Sequence, residues 1–276
     1  MKLMLIARDV ELVRFACGHG VDRPFVDLER LGKAERQGTL DTVQSAHTLE
    51  DVAAIRDALP DAELLVRIDP PHPGSREQAR AAMEHGARLI MLPMFRHPEE
   101  VAEIADVTRG KVGLVPLVET PQALARLPEL TRVAGVTEIY FGLNDLHLAF
   151  GLANMFEILS SGLLDGAAEV VREAGIPFGF GGIARLGEGV IPADLVLAEH
   201  VRLGSSSVIL ARAFVDRATT REELAARVDL RAEIAKLRAR VVELSARSAE
   251  SARADRDRLR LAVERYVQGA RREGAT

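Results

Sequence analysis

Short apolar runs alternate with amphipathic stretches along most of this chain, and that alternation limits the fold more than any other feature. Residues 3–7, 24–28, 63–68, 87–92, 112–118, 138–142, 177–180 and 201–203 read as strands. Helical spacing falls between them, at 10–17, 49–59, 75–85, 98–107, 122–127 and 155–174. The second, fourth and fifth runs are almost continuously apolar, the mark of strands covered on both faces in a parallel sheet. Eight strand–helix units in roughly 210 residues predict an α/β fold, a closed (β/α)8 TIM barrel. The alternative is a doubly wound open sheet. That fold usually carries a glycine-rich phosphate motif after its first strand, and none is present here.

Past residue 220 glycine and proline nearly vanish. The chain therefore divides into a barrel, residues 1–219, and a helical extension, residues 220–276. Leu230, Ile234, Leu237, Val241 and Leu244 form a heptad seam that could support a coiled coil. It fails at Ser248 and Ser251, and Leu259, Val263 and Tyr266 begin a second apolar face. Such helices can cover their own barrel or form an oligomerisation arm. Two helices exceed what barrel closure needs, which favours the arm and a homo-oligomer.

A net charge of −5 gives no electrostatic reason for a nucleic-acid or anionic-membrane partner. No run approaches the ~20 apolar residues of a membrane span. The apolar start ends at Arg8 and Asp9, too soon for a signal peptide. A single cysteine, Cys17, excludes an intramolecular disulfide and reads as structural. These features predict a cytoplasmic protein.

In a barrel the chemistry sits where strands end and βα loops begin. Strand two ends at Asp27 and Glu29, strand three at Arg67 and Asp69, strand five at Glu119 and Thr120, and strand six at Asn144 and Asp145 with His147 behind. Apolar strands that stop at carboxylates call for a partner, because an uncompensated buried charge is costly. Mg2+ or Mn2+ fits, since both favour oxygen ligands and keep positions open for substrate. Glu119 and Asp145 are the candidate ligands, and Arg67 the candidate clamp for a carboxylate or enolate. Each has a plainer alternative. Glu119 and Asp145 could cap helices, and Arg67 could simply pair with Asp69 or Asp27.

Five segments carry a resemblance: Phe25-Val26-Asp27-Leu28-Glu29, Leu65-Val66-Arg67-Ile68-Asp69, Ile90-Met91-Leu92-Pro93-Met94, Leu114-Val115-Pro116-Leu117-Val118-Glu119-Thr120 and Phe141-Gly142-Leu143-Asn144-Asp145-Leu146. In this order they resemble the HpcH/HpaI aldolase and citrate lyase beta-subunit family. The resemblance runs from about Pro24 to Phe214. It implies a divalent metal on Glu119 and Asp145, Arg67 on the 2-oxo acid or its enolate, and oligomers built through C-terminal helices. The aldolase branch carries a histidine directly after the acid that ends strand two; this chain has Arg30 there. Glu29, His147 and Lys33 are the candidates for the missing proton carrier.

Gly181 and Gly182, and Gly204, Ser205 and Ser206, are expected to follow strands seven and eight. There they could cradle a phosphate, or simply permit tight turns. The expected activity is metal-dependent carbon–carbon lysis or aldol addition on a pyruvate-like 2-oxo acid, and a phosphorylated or CoA-linked acid would also fit. An acyl-CoA lyase or thioesterase, and a non-catalytic scaffold, are the alternatives.

Overall fold

A computed structural model describes residues 1–32 and 46–273. Eight parallel strands close into a barrel in chain order: β1 (Lys2–Ile6), β2 (Arg23–Asp27), β3 (Leu65–Arg67), β4 (Leu89–Leu92), β5 (Gly113–Val118), β6 (Ile139–Phe141), β7 (Phe178–Ile183) and β8 (Ser207–Leu210). The helices between them are α1 (Val10–Gly18), α2 (Leu49–Ala58), α3 (Ser75–Glu84), α4 (Pro98–Thr108), α5 (Pro121–Ala125), α6 (Leu127–Leu130), α7 (Leu143–Ala149), α8 (Glu157–Ser160), α9 (Leu163–Glu173) and α10 (Ala193–Leu203). Then come α11 (Arg221–Arg227), α12 (Leu230–Ser245) and α13 (Ala249–Glu273).

Strand residues alternate between the barrel interior and the helix layer. Met4, Phe25, Leu65, Met91, Val115, Leu117 and Tyr140 fill the interior as one apolar cluster. Their alternates, such as Val26, Val66, Ile90, Leu114 and Phe141, pack under the helices. Below the apolar layer lies a polar floor. Arg23 Nη1 donates to Glu138 Oε2 at 2.8 Å, and the Ser207 hydroxyl donates to Glu138 Oε1. Both arginine and glutamate are buried, so their pairing is what makes the floor tolerable. Above the apolar layer the same inward parity continues into Asp27, Arg67 and Glu119. The strands thus set the chemistry at one rim.

One expectation needs correcting. The eighth strand is Ser207–Leu210, and residues 201–203 are the last turn of α10. Gly204, at φ +82°, closes that helix in the left-handed conformation that suits glycine. Residues 196–200 of α10 are all buried, so the helix lacks the polar stripe that would have marked it. The C-terminal helices pack against the barrel of the same chain. α12 and α13 both lie against α10 of their own barrel, and α13 also meets α8. Leu230, Ile234, Leu237 and Leu244 are buried there together with Leu197 and Phe214, while Leu259 and Val263 join the main core. The heptad seam is used up within the chain, and Arg247 pins the α12–α13 turn by donating to Ala198 O at 2.7 Å.

Candidate active site at the barrel mouth

Asp27, the last residue of β2, follows Phe25 by two and so faces inward. Its partner across the register is Arg67. Arg67 Nε donates to Asp27 Oδ1 at 2.8 Å and Nη2 to Oδ2 at 2.7 Å, a two-pronged fork. Glu29 Oε2 lies 3.3 Å from Arg67 Nε. Burial opposes the guanidinium's charge, but Asp27, Glu29 and Glu119 around it more than offset this and keep Arg67 charged. Arg67 therefore pairs with Asp27. Asp69 serves the backbone instead. Its Oδ1 accepts the N–H groups of Arg30 and Leu31 at 2.6 and 2.9 Å, and its Oδ2 accepts from Gln78. Asp69 thereby fixes the loop that leaves β2.

Glu119 follows β5 and shares the inward parity of Val115 and Leu117. Its neighbour Thr120, not Glu119, caps α5 by accepting the Ala123 N–H. Glu119 Oε1 instead accepts the Met94 N–H at 3.0 Å. Met94 stands at φ +53°, a strained value for a side-chain-bearing residue, and that turn aims its N–H at the carboxylate. Thr120 Oγ1 donates to Phe95 O at 2.8 Å and ties the same loop to β5. Asp145 sits in the first turn of α7, whose N-cap, Gly142, makes no side-chain cap. Burial first, then the charge of Asp145, push the Glu119 carboxyl well above its usual range; Arg67 acts the other way.

This donor set suits a divalent cation. Two hard oxygen donors repel each other in a buried place, and a cation would reverse that penalty. Gly142 makes room for them: a Cβ there would stand 2.5 Å from Glu119 Oε2. Among the described residues no third histidine, cysteine or carboxylate completes a cluster. Further coordination would fall to water or substrate oxygens.

The other candidates are placed less centrally. His147 lies two residues from Asp145, on the opposite flank of α7, buried with Leu143 and Leu146; its Nδ1 has no hydrogen-bond partner among the described residues. Gly181 and Gly182 stand in the last half of β7, where the Gly181 carbonyl accepts the Tyr140 hydroxyl at 2.6 Å. Gly204, Ser205 and Ser206 precede β8. Ser206 N–H donates to Phe178 O, at the start of β7, and Ser206 O accepts the Lys2 N–H at the start of β1. These three lie at the floor, so the structure does not bring them to the mouth. Lys33 lies outside the described residues.

One mouth residue went unseen in the sequence: His47. Its Nδ1 accepts the Asp27 N–H at 3.0 Å. The signal was present. Thr48 and Asp51 form a capping box, which starts α2 directly after His47. The Cys17 thiol, by contrast, is pushed up to about 11 by burial, with Asp22 adding to the effect, which fits a structural role.

A family model described as HpcH/HpaI aldolase/citrate lyase matches residues 8–179, more than half of the chain. No curated protein matches. Among solved structures, an HpcH/HpaI aldolase from Desulfitobacterium hafniense DCB-2 superposes with a TM-score of 0.61 at 16% identity, covering 76% of this chain and 85% of that one. An HpcH/HpaI aldolase/citrate lyase family protein from Burkholderia cenocepacia J2315 gives 0.59 at 16%, covering 82% and 95%. The citrate synthase SbnG gives 0.58 at 16%, covering 78% and 89%. At these identities the structures speak for the barrel, and the family model speaks for descent. The matched span contains the Asp27–Arg67 fork, Glu119 and Asp145, so this chain belongs to the HpcH/HpaI aldolase/citrate lyase family.

Proposed function

We propose that this protein is a divalent-cation-dependent carbon–carbon lyase or aldolase acting on a pyruvate-like 2-oxo acid. The observation that carries the reading is the meeting of the repelling pair Glu119 and Asp145 with the Arg67 guanidinium at one rim. Glu119 and Asp145 would hold Mg2+ or Mn2+, which when bound would act as a Lewis acid toward the 2-oxo group. Asp27 holds the Arg67 plane through Nε and Nη2, so that Nη1 would meet a substrate carboxylate or the oxygen that gains charge as the enolate forms. Met94 N–H keeps Glu119 turned toward the mouth.

The test is methyl-proton exchange of pyruvate in D2O, followed by NMR with and without Mg2+ or Mn2+. Exchange should require the cation and fall by about 100-fold or more in Glu119→Ala. Exchange that is indifferent to both would defeat the reading. Activity in the parent protein then licenses a screen of aldehydes as condensation partners.

A further inference from the structure

Glu119 does not offer its two oxygens alike. Oε1 accepts the Met94 N–H at 3.0 Å, while Oε2 accepts no hydrogen bond among the described residues. The residue is only 3% exposed, so an oxygen without a partner there is a costly one. Oε2 lies on the side of the turn from β6 into α7, since a Cβ on Gly142 would stand 2.5 Å from it. That turn carries Asp145 in the first turn of α7.

The donor on Oε1 is held in place by the surrounding chain. Met94 stands at φ +53°, between Pro93 and the buried Phe95. The left-handed region is disfavoured for any residue that carries a Cβ, and it persists only where neighbouring contacts enforce it. One such contact is printed on the next residue: Thr120 Oγ1 donates to Phe95 O at 2.8 Å. The end of β5 thus carries the carboxylate in Glu119 and, in Thr120, the tie that holds its donor loop.

This division bears on which cation fits. A carboxylate whose Oε1 is taken by an N–H binds a metal through Oε2 alone. Ca2+ takes about six to eight oxygens, often with a carboxylate bound through both of its own, whereas Mg2+ takes about six at shorter range and keeps several waters. Resting on the lyase reading above, we propose that the left-handed turn at Met94 selects the ion: by holding Oε1 it makes Glu119 a one-oxygen ligand and sets the site against Ca2+ in favour of Mg2+ or Mn2+. Met94 is a positioning residue, acting through Glu119 and by its backbone rather than its thioether. A small ion with few protein ligands keeps adjacent positions open for the oxygens of a 2-oxo acid.

The test compares the parent with Met94→Gly, Met94→Leu and Met94→Val. Glycine adopts the left-handed region freely, leucine resembles methionine in size and backbone preference, and valine, branched at Cβ, resists it most. Mn2+ binding is followed by electron paramagnetic resonance, with Ca2+ titrated as competitor, and the readout is the ratio of the Ca2+ to the Mn2+ dissociation constant. The parent should prefer Mn2+ by about 100-fold. Glycine and leucine should keep that ratio within about threefold, and valine should lower it by about tenfold or more, as Glu119 regains its second oxygen for the larger ion. A ratio in Met94→Val within about threefold of the parent would overturn the proposal. So would loss of both ions from a natively folded Met94→Val, because a released Glu119 should still hold Ca2+. A glycine or leucine variant that falls as far as valine would assign the effect to the side chain and overturn it too. A parent that holds Ca2+ as tightly as Mn2+ would overturn it before any variant is made. A parent that binds neither ion would instead remove the lyase reading beneath it.

Discussion

His200 shows how completely one residue's environment can set its chemistry. It is fully buried, stacked on Phe180 at 3.7 Å, and its Nδ1 meets the Ser205 hydroxyl at 2.9 Å. Burial lowers its pKa from 6.5 to about 3. A depressed histidine contributes stability that is present above its unfolded value and is lost as pH falls toward the folded one. Its share of the loss should reach about 3 kcal/mol by pH 4, at about 1.4 kcal/mol per pH unit below 6.5. Denaturant midpoints measured from pH 7 to pH 4 should therefore fall less steeply in His200→Phe than in the parent. Parallel slopes would show that His200 is not the acid-sensitive group. Glu119 is a buried carboxyl pushed up rather than down, and under the proposed function a bound cation would offset that penalty.

At the scale of elements, the turn from β6 into α7 is the most demanding. Gly142 has no side chain to collide with Glu119, and the residues after it deliver Asp145 in the first helical turn. Gly142→Ala would bring a Cβ to 2.5 Å from Glu119 Oε2 and 2.7 Å from Glu119 Cβ. The carboxylate must then shift. We expect cation-dependent pyruvate exchange to fall about 100-fold while circular dichroism stays native-like. Unchanged exchange would mean that this close approach is not used. The same turn was legible beforehand, because an apolar strand ending in Gly-x-Asn-Asp is a local pattern. The eighth strand was not, because its neighbour α10 is covered by α12 and α13 and so reads as apolar along most of its length. His47 was hidden for another reason. Twenty positions separate it from Asp27 in sequence, and only the closure of the α2 cap onto the rim joins them.

The whole molecule divides its polar groups between two ends of one barrel. Arg23, Glu138 and Ser207 close the floor, where their pairing is internal and serves stability. Asp27, Arg67, Glu119 and Asp145 open the rim, where a charged guanidinium and two repelling carboxylates meet at the mouth. Strand periodicity made the barrel and its rim residues readable, because inward parity carries straight from the core into the site. The role of the C-terminal helices was not readable from periodicity. A heptad seam looks the same whether it meets another chain or its own barrel, and here α12 and α13 spend it on α10. The proposed function requires Glu119 and Asp145 to form a cation site. The measurement that addresses it directly is Mn2+ binding followed by electron paramagnetic resonance, in the parent, Glu119→Gln and Asp145→Asn. One site per chain in the parent, weakened by about 100-fold or more in each variant, is the predicted result. Equal Mn2+ affinity in all three proteins would contradict it.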